Sequence, residues 1–356
     1  MLKGVERGTL VIADISGYTG LLVDTELEHA QDAVRDLIQT VVGKLRPQLR
    51  LAKLEGDAAF VYSISERIDG SQLLDTLEAA YFAFRRRLES ISLATTCDCN
   101  ACIRIPGLNL KLIAHHGSFV RQRLYGVEEL TGSDVIVVHR LLKNRVAEQV
   151  GSGGYLLLTD ACLAAATLDP AALRLVEYRD ELEGVGEVTG WVHDLETAWR
   201  RERELRRVRI GEKETALMVE ADIPAAPQVV WDWVTDPTRR PQFVPGVLRV
   251  DEVASAGRRG VGTTNHCMHG EGVTLEEILD WRPFDYFTLQ TTLPNGLSAI
   301  TMEELVAAGA GTHVIVRVAK QKTAKGREVF GRMSDMIAGM YAMSLAQLGR
   351  IVEADR

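Results

Sequence analysis

Two aspartates stand near the ends of apolar, strand-like runs in the N-terminal half of the chain. Asp14 lies at the end of the run "GTLVIADI", and Asp57 lies in the hairpin signal "EGD" between two further strand-like runs. If these strands are neighbours, both carboxylates emerge at the same edge of one sheet. Two carboxylates together with substrate phosphates are how a protein usually holds Mg²⁺. The pair therefore predicts a magnesium site, although a single aspartate at such a place is more often a turn residue or a helix cap.

The loop that follows the first aspartate is built mainly from small residues. Ser16, Gly17, Tyr18 and Thr19 connect the strand to a stretch with helical periodicity over residues 25–46. Such a loop presents open backbone N–H groups ahead of a helix, which is a common arrangement for holding a polyphosphate. We therefore expect these four residues to contact the phosphates of a nucleotide.

Three cysteines form a second cluster. Cys97, Cys99 and Cys102 lie within six residues, between a predicted helix and a predicted strand. Three thiolates this close can surround one soft cation, and Zn²⁺ takes four tetrahedral nitrogen or sulfur ligands. The candidates for the fourth ligand are His115, His116 and Cys162. The sequence leaves two interpretations open, a zinc site and three reduced cysteines on a loop.

Composition argues against several classes of protein. The 356-residue chain is 46% hydrophobic and 25% charged, which is ordinary for soluble globular domains, and its length favours two of them. A net charge of −8 argues against a general nucleic-acid-binding protein. No apolar run reaches about 18 residues, the length of a membrane span, and the N-terminus is too short and polar for a signal peptide. Five cysteines, an odd number, favour reduced thiols or metal ligands over disulfides, so we expect a cytoplasmic protein without stable membrane insertion.

The order of strand-like and helix-like segments predicts an α+β architecture, with a sheet covered by helices on one face. We expect a first domain over residues 1–195, a charged helical linker over 196–213 and a second domain over 214–356. The linker is rich in arginine and is predicted as a solvated helix, with an arginine-rich partner surface as the alternative. Residues 326–353 carry apolar positions at helical spacing and should form one long helix against a sheet.

The N-terminal pattern resembles the catalytic core of the class III nucleotidyl cyclases. The segment "ADISGYTGLL", followed by "KLEGD", carries the resemblance, and "LIAHHG" and "ELTGSDVIVVHRLL" extend it over about residues 8–195. The resemblance implies a ferredoxin-like cyclase-type sheet with helices. It also implies a homodimer, because each site in that family is built from two chains.

The resemblance implies a role for each site residue through its position in those motifs. Asp14 and Asp57 would bind two Mg²⁺ or Mn²⁺ ions, and Lys53 and Glu129 would recognise a purine base, with ATP favoured over GTP. Arg140 would stabilise charge on the reacting phosphate. The implied reaction is attack of the ribose 3′-hydroxyl on the α-phosphate, which forms a cyclic nucleotide and releases pyrophosphate.

Ile136 departs from the pattern of that family. The family places an asparagine there, one helical turn before the arginine, to orient the ribose, and a branched apolar side chain cannot make that hydrogen bond. Two hypotheses follow. One is a purine nucleotide cyclase that a hydrophobic ligand regulates. The other, which Ile136 favours, is a non-catalytic sensor or lipid- or polyketide-binding protein whose cyclase-like domain serves dimerisation or nucleotide binding.

The C-terminal part resembles the START-like polyketide cyclase/dehydrase and lipid transport superfamily. The segments "VEADIPAAPQVVWDWVTDPTRRPQFVPGV", "EEILDWRPFDYFTLQTT" and "GAGTHVIVRV", together with the closing helix, carry this resemblance. It implies a helix-grip domain, in which a curved antiparallel sheet wraps around the last helix and leaves an apolar cavity for a hydrophobic small molecule. The candidate lining residues, each of which is alternatively core, are Trp231, Trp233, Phe243, Trp281, Phe284, Tyr286 and Met340. No acid–base pair stands out in this part, so chemistry on the ligand ranks last.

Overall fold

The computed structural model describes residues 4–18, 20, 27–94, 99–125, 127–254, 256–270, 272–293 and 298–354. The chain divides into two compact units, Met1–Leu205 and Arg206–Arg356, and each unit has its own β-sheet. The α+β architecture expected from the sequence is confirmed. Within the described residues, no helix is both long and apolar enough to cross a membrane.

The first unit begins with a four-stranded antiparallel arrangement. In chain order its elements are β1 (Glu6–Ser16), α1 (Leu27–Leu45), β2 (Arg50–Glu55), β3 (Ala58–Tyr62), α2 (Gly70–Ala94) and β4 (Asn109–Leu124). The strands lie in the order β2-β3-β1-β4, and each neighbouring pair is antiparallel. β1 is therefore an internal strand, with β3 on one edge and β4 on the other.

The second half of this unit extends the sheet beyond β4. The short helix α3 (Asn100–Arg104) lies between α2 and β4 in the chain. The elements after β4 are β5 (Val127–Thr131), α4 (Ser133–Arg140), α5 (Val146–Val150), β6 (Tyr155–Thr159), α6 (Asp160–Ala166), β7 (Val176–Leu182), β8 (Gly186–Asp194) and α7 (Leu195–Glu204). β6 joins β4 in parallel, β8 and β7 follow in antiparallel order, and β5 pairs with the C-terminal part of β4.

Helices cover both faces of this sheet, which corrects the expectation of one covered face. Val11 and Ala13 of β1 pack in one core with α1 and α2, whereas Leu10 and Ile12 pack in a second core with α4. All four side chains are fully buried. Because neighbouring residues of a strand face opposite sides, a continuous apolar run such as "LVIA" requires cover on both faces.

The arginine-rich segment after β8 begins as part of the first unit. Its helix, α7, spans Leu195–Glu204, and Trp199 within it is only 3% exposed. The guanidinium groups of Arg86 and Arg203 lie over the ring of Trp199. The solvated helix expected over residues 196–213 is therefore helical only in its first half, and there one tryptophan gives the charged helix a packed face.

The second unit is a seven-stranded antiparallel sheet with a long closing helix. Its elements are β9 (Thr215–Ile223), α8 (Pro227–Thr235), α9 (Arg240–Phe243), β10 (Arg249–Val253), β11 (Thr264–His269), β12 (Gly272–Arg282), β13 (Tyr286–Thr292), β14 (Ser298–Ala308), β15 (Gly311–Ala319) and α10 (Ala324–Ala354). The strand order is β10-β11-β12-β13-β14-β15-β9. The long helix expected over residues 326–353 is confirmed, with Phe330, Leu345 and Leu348 buried. Sheet and helix together agree with a helix-grip domain.

Candidate functional site

The structure brings the two predicted metal ligands to one edge of the first sheet. Asp14 lies near the end of β1, opposite Ala58 at the start of β3. Gly56 has a left-handed φ of +69°, which allows the tight β2–β3 hairpin. The Ile15 N–H donates to the carbonyl oxygen of Asp57 at 3.2 Å, so the hairpin lies against β1. Partial burial and the negative charge of Asp14 raise the pKa of Asp57, because the two carboxylates repel each other.

Lys111 is a residue of this edge that reasoning from the sequence missed. It lies opposite Asp14 across the β1–β4 pair, and its Nζ is 3.0 Å from Oδ2 of Asp14. The same Nζ donates to the carbonyl oxygen of Leu142 at 3.1 Å. Lys111 therefore supplies Asp14 with a positive charge from within the chain. The signal in the sequence is a single lysine inside the apolar run "LKLIA".

Lys53 and Glu129, the predicted pair for base recognition, lie close together. The Nζ of Lys53 is 2.8 Å from Oε1 of Glu55 and 3.8 Å from Oε2 of Glu129. The Nε2 of His139 lies 3.2 Å from the carboxylate of Glu55. The hydrogen bond to Glu55 raises the pKa of Lys53 despite its partial burial. Reasoning from the sequence missed Glu55 and His139, because only the tertiary structure brings His139 of α4 to Glu55 of β2.

Helix α4, which carries Ile136 and Arg140, is anchored to β4 by Asp134. Its Oδ2 accepts a hydrogen bond from the Ser118 N–H at 2.6 Å, and its Oδ1 lies 3.2 Å from Nε2 of His115. The Nδ1 of His115 is in turn 2.8 Å from Oγ1 of Thr159. Burial lowers the pKa of His115, which favours the neutral ring in this network.

Ile136 and Arg140 are both accessible on α4. Ile136 is 52% exposed, so it is not a core residue. The side chain of Arg140 is 40% exposed and lies 3.8 Å from Glu183, whose side chain is almost fully exposed. Among the described residues, Glu183 is the ion-pair partner of Arg140. Within these same residues, Arg140 forms no ion pair with Asp14 or Asp57 of its own chain.

Three of the four residues of the predicted phosphate loop are described. Ser16 ends β1, and Gly17 has a φ of +94°, a conformation that favours glycine. Tyr18 packs against the core beneath α1 and α2. Thr19 lies outside the described residues. The backbone of Ser16 and Gly17 therefore lies directly at the C-terminal end of β1, next to Asp14 in the chain.

The cysteine cluster is only partly described, because Cys97 lies outside the described residues. Cys99 is the N-cap of α3, and its Sγ accepts a hydrogen bond from the Cys102 N–H at 3.5 Å. Within the described parts of the chain, no group of three or more His, Cys, Asp or Glu side chains is placed to hold a metal ion. Zinc at this loop stays a prediction.

The structure places the three candidate fourth ligands of that cluster in different surroundings. His115 contacts Asp134 on the α4 face of the sheet, whereas Cys99 packs against the core on the opposite face. Cys162 is fully buried in that same core, and burial raises the pKa of its thiol to about 12. His116 is also buried, and burial lowers its pKa. The sheet therefore separates His115 from the cluster, and the environment of Cys162 disfavours the thiolate that zinc requires.

The second unit contains a cavity of about 130 Å³ between its sheet and α10. The candidate residues that border it are Phe243, Trp281 and Met340. Trp231, Trp233 and Phe284 pack against other aromatic rings. Tyr286 turns away from the cavity and donates its hydroxyl to Asp280 at 2.8 Å. Because strand residues alternate between faces, the next residue, Phe287, borders the cavity instead.

The wall of this cavity also carries charged groups. Arg240 donates to both carboxylate oxygens of Glu276, with 3.0 Å between Nη2 and Oε1. Glu303 borders the same cavity, and burial raises its pKa to about 7. No pattern in the sequence indicated this group, because the fold gathers its members from α9, β12 and β14.

Two segments of the chain match known protein families. Residues 215–353 match the family described as polyketide cyclase / dehydrase and lipid transport. Residues 34–150 match a family described as a protein of unknown function, DUF2652. The second unit therefore has the type of domain that the sequence indicated, while the match within the first unit specifies no activity.

Similar solved structures fall into two groups. The guanylyl cyclase Cya2 is 14% identical, with a TM-score of 0.40, over 54% of this chain and 93% of that chain. DynU16, a protein of the dynemicin biosynthetic locus, is 18% identical, with a TM-score of 0.32, over 39% of this chain and 48% of that chain. The match thus spans about half the length of DynU16. Likenesses at these scores do not establish a shared activity.

A curated relative shows the family more directly. The chain is 34% identical over 163 residues to the uncharacterized protein Rv2561/Rv2562 of Mycobacterium tuberculosis (strain ATCC 25618 / H37Rv). The match covers 46% of this chain and 73% of the relative. The chain belongs to the family of that uncharacterized protein.

Replacement of Lys111 by methionine should strengthen the binding of Mn²⁺ in the absence of nucleotide by about tenfold, or about 1.4 kcal/mol. The variant removes an ammonium group that lies 3.0 Å from Asp14 and opposes a second cation. Calorimetric titration with Mn²⁺ measures the change. Lys143→Met, at an exposed position, is the control and should leave the affinity unchanged. Equal affinities in both variants and the parent would mean that Asp14 is not a cation ligand.

Replacement of Gly117 by alanine should lower the free energy of unfolding by about 1–3 kcal/mol. A Cβ atom at this position would overlap the side chain of Asp134 and push α4 from β4. Chemical denaturation measures the change. Gly43→Ala in α1 is the control, because its Cβ meets nothing within 4 Å and alanine favours a helix. If both variants are as stable as the parent, the close approach of α4 to β4 is wrong.

Proposed function

We propose that the first unit binds a magnesium complex of a purine nucleoside triphosphate, ATP in the first place, at the edge where Asp14 and Asp57 meet. The observation that carries this proposal is that Asp14 and Asp57 lie at the same end of neighbouring strands, where burial and the charge of Asp14 together raise the pKa of Asp57. The strand order β2-β3-β1-β4, with helices after β1 and β3, supports the ferredoxin-like, cyclase-type assignment of this unit.

The residues at this edge fit a divalent cation. Asp14 and Asp57 offer carboxylate oxygens, the ligands that Mg²⁺ and Mn²⁺ prefer. Burial and the charge of Asp14 raise the pKa of Asp57 although Lys111 opposes the shift, and a bound cation would favour the ionised carboxylate. Asp14 and Asp57 would hold the metal, which when bound supplies positive charge to the nucleotide phosphates.

The remaining charged groups suit the other parts of the nucleotide. The Nζ of Lys111 lies at the same edge and is placed to pair with a phosphate when a metal ion takes its position beside Asp14. Lys53 can donate to N1 of adenine, and Glu129, 3.8 Å away, can accept from the exocyclic amino group. Base, phosphates and metal would therefore each meet residues of the expected type.

Cyclisation is the reaction that this arrangement supports best. The 3′-oxygen of the ribose forms a bond to the α-phosphorus, its proton is lost to solvent, and the bond to the departing pyrophosphate breaks. Arg140 would meet the charge that develops on the phosphate. Its exposed pair with Glu183 is of the kind that contributes little, so Arg140 can exchange that partner for a phosphate. In a homodimer, Arg140 of one chain would contact the nucleotide phosphate that is held at Asp14 and Asp57 of the other chain.

The second candidate function is nucleotide binding without turnover. Ile136 favours it, because an exposed apolar side chain stands one helical turn before Arg140, where ribose orientation would require a polar group. An isoleucine that is 52% exposed also suits contact with a second copy of the chain. In this case the first unit would be a nucleotide-dependent dimerisation or sensing module.

For the second unit we propose capture of a small apolar molecule that regulates the first unit. The family match over residues 215–353 and the aromatic lining of the cavity by Phe243, Trp281 and Phe287 support this proposal. The cavity volume of about 130 Å³ resembles that of an engineered cavity of about 150 Å³ that holds benzene. The expected ligand is therefore no larger than a substituted single ring.

Asp57→Asn should weaken the binding of ATP in the presence of Mg²⁺ by at least about tenfold, because the variant loses a carboxylate ligand at nearly constant volume. It leaves the Lys111–Asp14 ion pair in place, so the fold should persist. Calorimetry measures affinity, and chromatography detects cyclic nucleotide and pyrophosphate. Asp32→Asn, on the exposed surface of α1, is the control.

Two results would contradict the proposal at different levels. If Asp57→Asn binds Mg²⁺-ATP as tightly as the parent, the site is wrong. If the parent binds the nucleotide but forms no cyclic product from ATP or GTP with Mg²⁺ or Mn²⁺, in the presence or absence of a ligand for the second unit, the cyclase reaction is wrong and the sensor remains.

Ile136→Asn should raise kcat about tenfold or more, with a smaller effect on nucleotide affinity, because orientation of the ribose matters most in the transition state. The exposed position makes a large loss of stability unexpected. Steady-state kinetics measures the gain, and Ile103→Asn, at another exposed helical isoleucine, is the matched control. A folded Ile136→Asn protein with unchanged or lower kcat would mean that this position does not face the ribose.

A further inference from the structure

In the cavity of the second unit, one glutamate is paired with an arginine and another is not. Arg240 is the arginine of the described wall, and it makes two hydrogen bonds to Glu276, so the charge of Glu276 is balanced. Glu303 borders the same space from β14. Among the described residues, Glu303 has neither a hydrogen-bond partner nor an ion-pair partner, because the guanidinium group is committed to Glu276.

The surroundings of Glu303 disfavour its charge in the absence of a further cation. Burial raises its pKa to about 7, with Arg240 opposing the shift and Glu276 adding to it. Tyr341 of α10 also borders the cavity, and burial raises its pKa, so the phenol stays neutral. With both glutamates ionised, the set of Arg240, Glu276 and Glu303 carries one excess negative charge, which a buried cation would neutralise.

Asn265 provides a second, independent indication of a ligand. It is 8% exposed, lies opposite Glu276 across the β11–β12 pair, and borders the cavity. Asn265 contributes to the lowered pKa of Glu276, which favours an orientation with its NH₂ group toward that carboxylate. The Oδ1 of Asn265 is buried and has no hydrogen-bond partner among the described residues. An unsatisfied buried acceptor is costly, so a donor from a ligand would stabilise this wall.

We propose that this cavity binds a small aromatic amine, whose ammonium group pairs with Glu303, and that Asn265 accepts a hydrogen bond from a second donor on such a ligand. The inference rests on the proposal that the second unit holds an apolar molecule, and it specifies the chemistry of that molecule. Glu303 and the Oδ1 of Asn265, which both border the cavity, are acceptors and favour a ligand that carries donors. Phe243, Trp281 and Phe287 would enclose the ring.

Calorimetric titration of the full chain with three probes of nearly equal size tests the proposal. Benzylamine, which is protonated at neutral pH, should bind about tenfold tighter or more than benzyl alcohol or toluene, because a charge-assisted hydrogen bond adds to the burial of the ring. Glu303→Gln should reduce that preference to about threefold or less by removing the carboxylate. Glu277→Gln is the matched control, because Glu277 follows Glu276 in β12 but is exposed on the outer face of the strand.

The outcomes separate this inference from the proposal beneath it. Equal binding of benzylamine and toluene to the parent would overturn the amine but keep the apolar ligand. A preference for benzylamine that persists in Glu303→Gln would overturn the role of Glu303. Binding of none of the three probes would overturn both proposals. Thermal unfolding serves as the folding control. Because burial disfavours the charge of Glu303, Glu303→Gln should leave the unfolding temperature unchanged at acid pH and raise it at pH values above 7.

Discussion

β1 is buried on both faces and paired on both edges, so a charged group on it can only lie where the sheet ends. Its apolar run from Leu10 to Ala13 is fully buried, and Asp14 follows directly. The antiparallel neighbours bring the β2–β3 hairpin and β4 to the same end, and with them Asp57 and Lys111. The proposed nucleotide site is thus a consequence of how the central strand is covered.

The two units share an electrostatic feature. In each unit the chain balances one buried or half-buried carboxylate itself, Asp14 by Lys111 and Glu276 by Arg240. In each unit a second carboxyl group remains nearby with a raised pKa, Asp57 in one and Glu303 in the other. Perturbed acids of this kind are enriched at functional sites. The same reasoning therefore supports a metal ion in the first unit and an organic cation in the second.

The choice between catalysis and sensing depends on α4. Asp134 fixes this helix to β4, so the positions of Ile136 and Arg140 are well defined. Arg140 is exposed and weakly paired, as an arginine that serves a second chain would be. Ile136 is exposed as well, and in the proposed site its apolar side chain could not make the hydrogen bond that would orient a ribose. Under the proposed function, recognition of the nucleotide and turnover would therefore depend on different residues and would be separable.

The sequence by itself determined the features that depend on local patterns. The buried strand that carries Asp14 near its end, the hairpin with Gly56 and the long closing helix follow from hydrophobic period and turn residues, which act over a few positions. Only the tertiary structure decided which residues meet across strands. Lys111 reaches Asp14 through the register of β1 and β4, and Phe287 replaces Tyr286 at the cavity because a shift of one residue reverses the face. Glu303 and Arg240 border the same cavity through three-dimensional packing over long sequence separations, which no local pattern in one sequence encodes.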